Sequence, residues 1–238
     1  AWNWKANGSG SSNTNGTITS TVSANVDAGF SIVSYTGNAT NDATIGHGLS
    51  KAPDLMIVKS RDGADAGTHQ WYVYEGTSAS LYLESTEPLH SDNRLKSAQA
   101  TTFTVSQHAQ CNASGDAYIG YMFHSVEGYS KVGHYTGNGN ADGTFVYTGF
   151  RPAFILLKQT TAVQDWQIYD VKRSPTNLID DALYPNTSGA EATANYLDMD
   201  IVSNGFKVRA VSGANNVNNG TYIYLAFAET PFKYSNAR

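Results

Sequence analysis

Six histidines, one cysteine and twenty acidic residues are the side chains that could hold a metal or carry catalysis in this 238-residue chain. His47, His69, His90, His108, His124 and His134 are scattered, and no two stand at the spacing a zinc site uses. Cys111 follows His108 by three residues, but two ligands do not complete a coordination shell, and a small buried thiol is the simpler reading. There is no G-x-S-x-G elbow, and no Gly-rich loop enters a helix, so neither an activated serine nor a phosphate cradle is indicated. A glycosidase needs two carboxylates facing each other across one sugar bond. Asp62, Asp65, Glu75, Glu84 and Glu87 in the first half, and Asp165, Asp170, Asp180, Asp181 and Glu191 in the second, sit mostly in loops or at strand ends, where solvated carboxylates are ordinary. Asn138-Gly139-Asn140-Ala141-Asp142-Gly143 has the opening cadence of a Ca²⁺ loop, but Gly149 occupies the position that must supply a bidentate Glu. The segment reads as turn chemistry. The sequence therefore assigns no catalytic residue, no metal site and no cofactor.

These side chains are carried by a chain in which one pattern occurs twice. Tyr35-Thr36-Gly37-Asn38 returns as Tyr135-Thr136-Gly137-Asn138, and each is followed by an apolar run behind a proline, Leu55–Lys59 after Pro53 and Phe154–Lys158 after Pro152. The pairing continues in the same order through Trp71-Tyr72-Val73-Tyr74 against Trp166-Gln167-Ile168-Tyr169, Leu81-Tyr82 against Leu183-Tyr184, Thr102–Val105 against Gly205–Val208, and Tyr118-Ile119 with Phe123 against Tyr222-Ile223 with Phe227. Length changes fall between the apolar runs, where loops absorb them. Short segments rich in β-branched and aromatic residues, bounded by Gly, Asn, Asp and Pro, predict strands over 30–35, 54–60, 70–74, 79–83, 102–106 and 118–124, then 133–136, 145–148, 153–159, 166–169, 206–210 and 221–228. The Leu55–Val58 and Phe154–Leu157 runs do not alternate, which predicts inner strands covered on both faces. The expected fold is all-β: two tandem, internally duplicated antiparallel β-sandwich units of jelly-roll type, each with an interior centred on its tryptophan, Trp71 or Trp166, and packed rigidly against each other, with one lectin-like sandwich made from both halves as the alternative. Residues 1–28 form an arm that pairs with the first repeat through the alternating Thr17–Val22, residues 29–131 are repeat 1, and residues 132–238 are repeat 2. The Asn7–Asn13 run of Gly and Ser predicts a loop, and 190–198 is the one stretch of helix-friendly composition.

Composition bounds the partners. Charged residues are 15% of the chain, against a typical ~25%, and a net charge of -5 offers no general attraction for nucleic acid or anionic membranes. A single cysteine permits no intrachain disulfide, which fits folding in a reducing cytoplasm. No apolar run approaches the ~18 residues of a membrane helix, so membrane insertion is not expected. The first residue is Ala1, which suggests processing or excision from a longer protein.

Residues that recur in both halves, such as Tyr35/Tyr135, Gly37/Gly137, Lys59/Lys158 and Trp71/Trp166, are most simply needed to build the unit. A partner site should use what is not repeated. That points to His69, Gln70, His90, Asp92, Asn93 and Arg94, whose side chains, set beside aromatic faces, are the groups a neutral glycan asks for. Trp2 and Trp4 at the start, with Phe232 and Tyr234 at the end, are candidates for an assembly interface.

The two Tyr-Thr-Gly-Asn motifs, the stretch Gly149–Lys158, the junction Glu127-Gly128-Tyr129-Ser130-Lys131, the opening Trp4–Gly10 and the closing Tyr222–Tyr234 together resemble a repeat region of virion structural proteins in tailed bacteriophages. The similarity spans nearly the whole chain. It implies a non-enzymatic tail-fibre, spike or head-fibre domain, assembled in the host cytoplasm and exposed on the particle exterior. It also implies a homo-oligomer, commonly a trimer, with other virion proteins and host surface polysaccharide as partners. It transfers no catalytic residue. The rival readings are a capsid-decoration knob with a purely structural role, and a polysaccharide depolymerase or esterase.

Overall fold

The computed structural model describes residues 3–61 and 70–230. Contacts divide the chain into two compact units, Ala1–Leu83 with His90–Ser125, and Glu84–Leu89 with Val126–Arg238. The division falls a few residues before the junction read from the sequence. It also assigns Glu84–Leu89, a stretch of the first half, to the second unit.

Unit 1 contains β1 (Ser11–Asn13), β2 (Ser20–Asn25), β3 (Phe30–Thr36), β4 (Ala43–Gly46), β5 (Leu55–Ser60), β6 (Tyr72–Tyr74), β7 (Ser80–Tyr82), β8 (Leu95–Ala98), β9 (Thr102–Val105), a single helical turn α1 (Ala109–Asn112) and β10 (Ala117–Phe123). One antiparallel sheet runs β1-β2-β3-β10-β5-β6-β7 and a second runs β4-β9-β8. Alternation along each strand turns Val33, Tyr35, Met56, Val58, Tyr118 and Met122 of the first sheet toward Ile45, Leu95, Phe103 and Val105 of the second, in one buried cluster. This is a β-sandwich, and its centre is aromatic: Tyr35 meets Phe103 edge-on with ring centroids 6.0 Å apart.

Unit 2 contains β11 (Ser130–Thr136), β12 (Phe145–Tyr147), β13 (Pro152–Gln159), β14 (Gln167–Asp170), β15 (Asp181–Ala182), β16 (Ala192–Thr193), β17 (Met199–Val202), β18 (Gly205–Val208) and β19 (Thr221–Ala228). Its sheets run β11-β19-β13-β14 and β12-β18-β17, with β15-β16 as a separate pair. Register repeats as well. Lys59 faces Ile119 and Lys158 faces Ile223; Met56 faces Tyr74 and Ile155 faces Tyr169; Ile45 faces Phe103 and Val146 faces Phe206.

The doubled motif makes the same contacts in both units. Tyr35 donates its hydroxyl to Cys111 O at 2.7 Å, and Tyr135 donates to Asn215 O at 2.7 Å. Each ring stacks on a second tyrosine, Tyr118 at 5.1 Å and Tyr222 at 4.8 Å. Those partners in turn accept backbone N–H groups, from Ala113 at 2.8 Å and Val217 at 2.9 Å. Asn38 N–H donates to the Asn112 side-chain oxygen at 2.8 Å, and Asn138 N–H to that of Asn216 at 3.0 Å. The glycine between them is needed for space: a Cβ on Gly37 would lie 2.1 Å from Ala113 O, and one on Gly137 2.3 Å from Val217 O.

Several expectations change. The Gly/Ser run supplies β1, because Ser11 and Asn13 pair with Val22 and Ser20. β2 then pairs with β3 along its length, and Ile18 bridges Ile45. The helix-friendly 190–198 forms β16 and a 3-10 turn at Asn195–Leu197, while α1 forms where no helix is predicted. β13 is buried throughout, but β5 leaves Ile57 and Lys59 half-buried. Trp166 is buried and Trp71 only partly so, outside the central cluster of its unit, whose interior is built on tyrosines instead.

Candidate functional site

The residues that differ between the two halves gather at one corner of unit 1. β6 and β7 are antiparallel neighbours with Tyr72 opposite Tyr82. Beyond the Glu84–Leu89 excursion, the chain returns beside β7, where Ser80 and His90 exchange both backbone hydrogen bonds at 2.8 and 2.9 Å. Asn93 then turns the chain in the left-handed region at φ 52°, which Asn tolerates, and Arg94 leads into β8. This path brings the side chains of His90, Asp92 and Arg94 onto the two tyrosines.

The contacts form one network. Tyr82 donates its hydroxyl to Asp92 Oδ2 at 3.0 Å, and Arg94 Nε pairs with the same oxygen at 3.3 Å. Asp92 Oδ1 is buried and accepts no hydrogen bond among the described residues. The Arg94 guanidinium lies 5.0 Å from the centroid of the Tyr72 ring and donates through Nη1 to its hydroxyl oxygen. That hydroxyl also contacts the amide oxygens of Gln70, at 3.0 Å, and Gln110, and has one proton to give to one of them at a time. The His90 ring stacks on Tyr82 at 4.8 Å, and Tyr72 meets Tyr82 edge-on at 5.3 Å. Burial raises the Tyr72 phenol well above its usual range, against the opposing pull of Arg94. Around this floor Ser91, Asn93 and His108 stand exposed. Burial, then the Arg94 charge, lowers the His108 imidazole.

Of the six residues read from the sequence, Gln70, His90, Asp92 and Arg94 are brought together, Asn93 supplies the turn, and His69 lies outside the described residues. Tyr72, Tyr82 and Gln110 were not singled out. Tyr72 had a signal: its register partner in the second half is Gln167. Unit 2 builds the equivalent corner differently. Gln167 donates to Ala214 O at 3.3 Å and accepts from the Tyr169 hydroxyl at 2.8 Å, while Asn186 bridges Asp165 Oδ1 at 2.7 Å and Trp166 N–H at 3.0 Å. Arg94 O accepts from Ser106 N–H just as Asp198 O accepts from Arg209 N–H, both at 2.9 Å, so the register position of Arg94 holds a carboxylate in unit 2. Burial, with Asp180 adding to it, raises the Asp198 carboxyl above its ordinary range. That register position therefore carries a basic side chain in unit 1 and an acidic one in unit 2.

The remaining chemical candidates are occupied by structure. The buried Cys111 thiol is pushed up to about 11 by burial and sits among the oxygens of Ser106, Arg94 and His108. His108 Nδ1 caps α1 by accepting from Gln110 N–H, which accounts for the spacing of His108 and Cys111. Asp142, in the segment with a Ca²⁺-loop cadence, pairs with Lys207 at 2.7 Å and Arg209 at 3.2 Å. Among the described residues no cluster of His, Cys, Asp or Glu is arranged to hold a metal ion. Of the proposed assembly residues, Trp4 meets Phe123 edge-on at 6.1 Å; Trp2, Phe232 and Tyr234 lie outside the described residues.

Neither a curated protein nor a solved structure matches the chain. The profile of a domain of unknown function, DUF7483, matches residues 1–231, and the chain belongs to that family.

Proposed function

We propose that this chain is a non-catalytic binding domain of a phage virion appendage, of tail-fibre or spike type, that touches host surface polysaccharide through the Tyr72–Arg94 corner. The observation that carries the reading is the divergence of the two corners: residues absent from the repeat converge at one place, where unit 2 has Asp198 at the position of Arg94 and Gln167 at that of Tyr72. The corner floor is hydrogen-bonded within itself and so is rigid, with polar groups at its rim, an arrangement that lowers the ordering cost of binding a hydroxylated ligand. Weak single sites suffice where several copies act at once, as in a homo-oligomeric appendage beside other virion proteins. The test is a glycan array followed by titration with the full chain. Binding to host envelope saccharide that Arg94→Ala abolishes and Asp198→Asn leaves intact supports the reading, and a chain that binds no envelope fraction refutes it.

A second reading, a capsid-decoration or head-fibre knob, is favoured by β12. It lies at the edge of its sheet and exposes Phe145 and Tyr147 by 46% and 65%, and an edge strand with exposed aromatics suits protein assembly. Loss of particle incorporation in Tyr147→Ser, with saccharide binding unchanged, selects that role.

A further inference from the structure

Unit 1 carries a second set of departures from the repeat, away from the corner. Among the described residues the strand β2 has no counterpart in unit 2, where β11 forms the edge of its sheet. With β3 and β10 it walls a cleft of about 260 Å³ lined by Thr19, Thr21, Ser34, Thr36, Ala117 and Arg61. Thr21 faces Ser34 and Thr36 faces Ala117 across the strands, so the hydroxyls stand in adjacent rows on one face. None of these four hydroxyls hydrogen-bonds to a described residue. The neighbouring side chains are turned to the core instead, Ser20 Oγ donating to Gly46 O at 2.8 Å and the Tyr35 hydroxyl to Cys111 O.

Arg61 enters where the repeat has a different residue. Its N–H donates to Ala117 O at 2.8 Å, as Thr160 N–H donates to Thr221 O at 2.8 Å in unit 2. Thr160 is buried there, and its hydroxyl donates to the same Thr221 oxygen at 3.1 Å. Arg61 is exposed, and no carboxylate among the described residues pairs with it, in a chain of net charge -5. A guanidinium that no described carboxylate engages is the natural partner for a planar anion, which it grips through two parallel N–H groups. The rows of free hydroxyls beside it match the donors and acceptors of a sugar ring. The cleft is smaller than the ~300–1,000 Å³ of a drug-sized site, which limits it to a single sugar residue.

We propose that this cleft is a subsite for a carboxylated sugar, a hexuronate, with Arg61 on the carboxylate and Thr21, Ser34 and Thr36 on the ring hydroxyls. The subsite rests on the saccharide-binding reading in taking a sugar as ligand, but it uses none of the corner residues. The test is an amide NMR titration of the full chain with D-glucuronate, its short oligomers, D-glucose and inorganic phosphate. Expected are saturable shifts at 19–21, 34–36 and 117 with glucuronate and its oligomers but not with glucose. Arg61→Ala should weaken binding about tenfold or more and the Thr21→Val/Ser34→Ala pair severalfold. The amide spectrum of each variant reports whether it is folded. Shifts at 19–21, 34–36 and 117 that survive Arg61→Ala overturn the subsite. Phosphate binding as tight as glucuronate, with the hydroxyl pair silent, reduces the cleft to a general anion contact and overturns it too. Neutral saccharide bound through Arg94 without any glucuronate response refutes the cleft alone; no saccharide response of any kind refutes both.

Discussion

Lys158 donates its ammonium group to the carbonyl oxygen of Thr86 at 3.2 Å, and to that of Gln159 at 2.8 Å. The side chain is fully buried, and among the described residues no carboxylate lies within ion-pair distance. Thr86 belongs to Glu84–Leu89, the stretch of the first half that is part of unit 2. Two backbone bonds fasten it as well, Gln164 N–H to Thr86 O at 2.9 Å and Leu89 N–H to Thr160 O at 2.8 Å. A buried cation held only by neutral carbonyls is a costly clasp, and it makes unit 2 depend on six residues encoded in the other half.

The cost is readable as a pH effect. Burial brings Lys158 down from 10.5 to about 8, offset in part by Asp165 and Glu87 at longer range. The unfolded chain therefore holds this proton to higher pH than the folded one, so its contribution to stability rises as pH climbs from about 8 toward 10.5, by at most about 3 kcal/mol. Cys111 works the other way, since its thiol is raised to about 11 and the unfolded chain ionises first. Urea midpoints at pH 7.5 and 9.5, compared between wild type and Lys158→Met, isolate the lysine. The gap between the two proteins should shift in favour of wild type at the higher pH; a gap that does not move removes the clasp as a titrating group.

His47 gives the opposite limb. It is fully buried, its Nδ1 accepting from Leu49 N–H at 3.1 Å and its Nε2 lying 3.0 Å from Gln99 O, where the protonated nitrogen donates. Burial lowers its pKa below 6.5, partly countered by the Gln99 carbonyl. The unfolded chain takes up a proton first as pH falls below 6.5, so stability is full above that value and declines beneath it. Melting temperature should drop between pH 7 and pH 5 in wild type and drop less in His47→Gln. Equal slopes in the two proteins contradict the assignment.

Gly37→Ala and Gly137→Ala test whether the two units are built by the same contacts. In each, the new methyl meets the carbonyl oxygen of a residue whose N–H donates to a stacked tyrosine, Ala113 at 2.1 Å and Val217 at 2.3 Å. Neither oxygen can yield without breaking the Asn112 or Asn216 turn. Both substitutions should cost about 1–3 kcal/mol or more in denaturant unfolding. A large loss in one and none in the other means the motif is structural in only one unit.

Much of this was legible in the sequence because the doubled pattern falls on strands. The Tyr-Thr-Gly-Asn motif marks the stacked pair, and β5 and β13 follow from apolar runs behind prolines. Of the strands that escaped, β4, β8 and β17 are short, and Lys96, Ser97 and Asp200 dilute the pattern; what makes them strands is pairing with β9 and β18. Repetition also misleads where register is kept but surroundings change. Lys59 lies 5.2 Å over the Trp71 ring while Lys158 is buried on carbonyls, although both read as the same scaffold position. Non-repetition was the better guide to the corner. It points to four of the clustered side chains and misses Gln110, Tyr72 and Tyr82, the two tyrosines because they stand within the recurring aromatic segments.

The corner itself is open to a thermodynamic cycle. The Asp92 and Arg94 side chains are 13% and 19% exposed, well short of a solvated surface pair, and share their geometry with the hydroxyls of Tyr82 and Tyr72. Exposed ion pairs couple by about 0–1 kcal/mol, whereas removing one partner of a desolvated pair strands the other charge. The losses in Asp92→Asn and Arg94→Met should therefore sum to more than the loss in the Asp92→Asn/Arg94→Met double variant, with a coupling of about 1–2 kcal/mol in urea unfolding. Tyr72→Phe removes the hydroxyl that Arg94 reaches and keeps the ring beneath it, so it should lower that coupling without abolishing it. A coupling near zero would show that solvent already screens the pair, and the corner would lose the rigidity on which its proposed role as a binding floor depends.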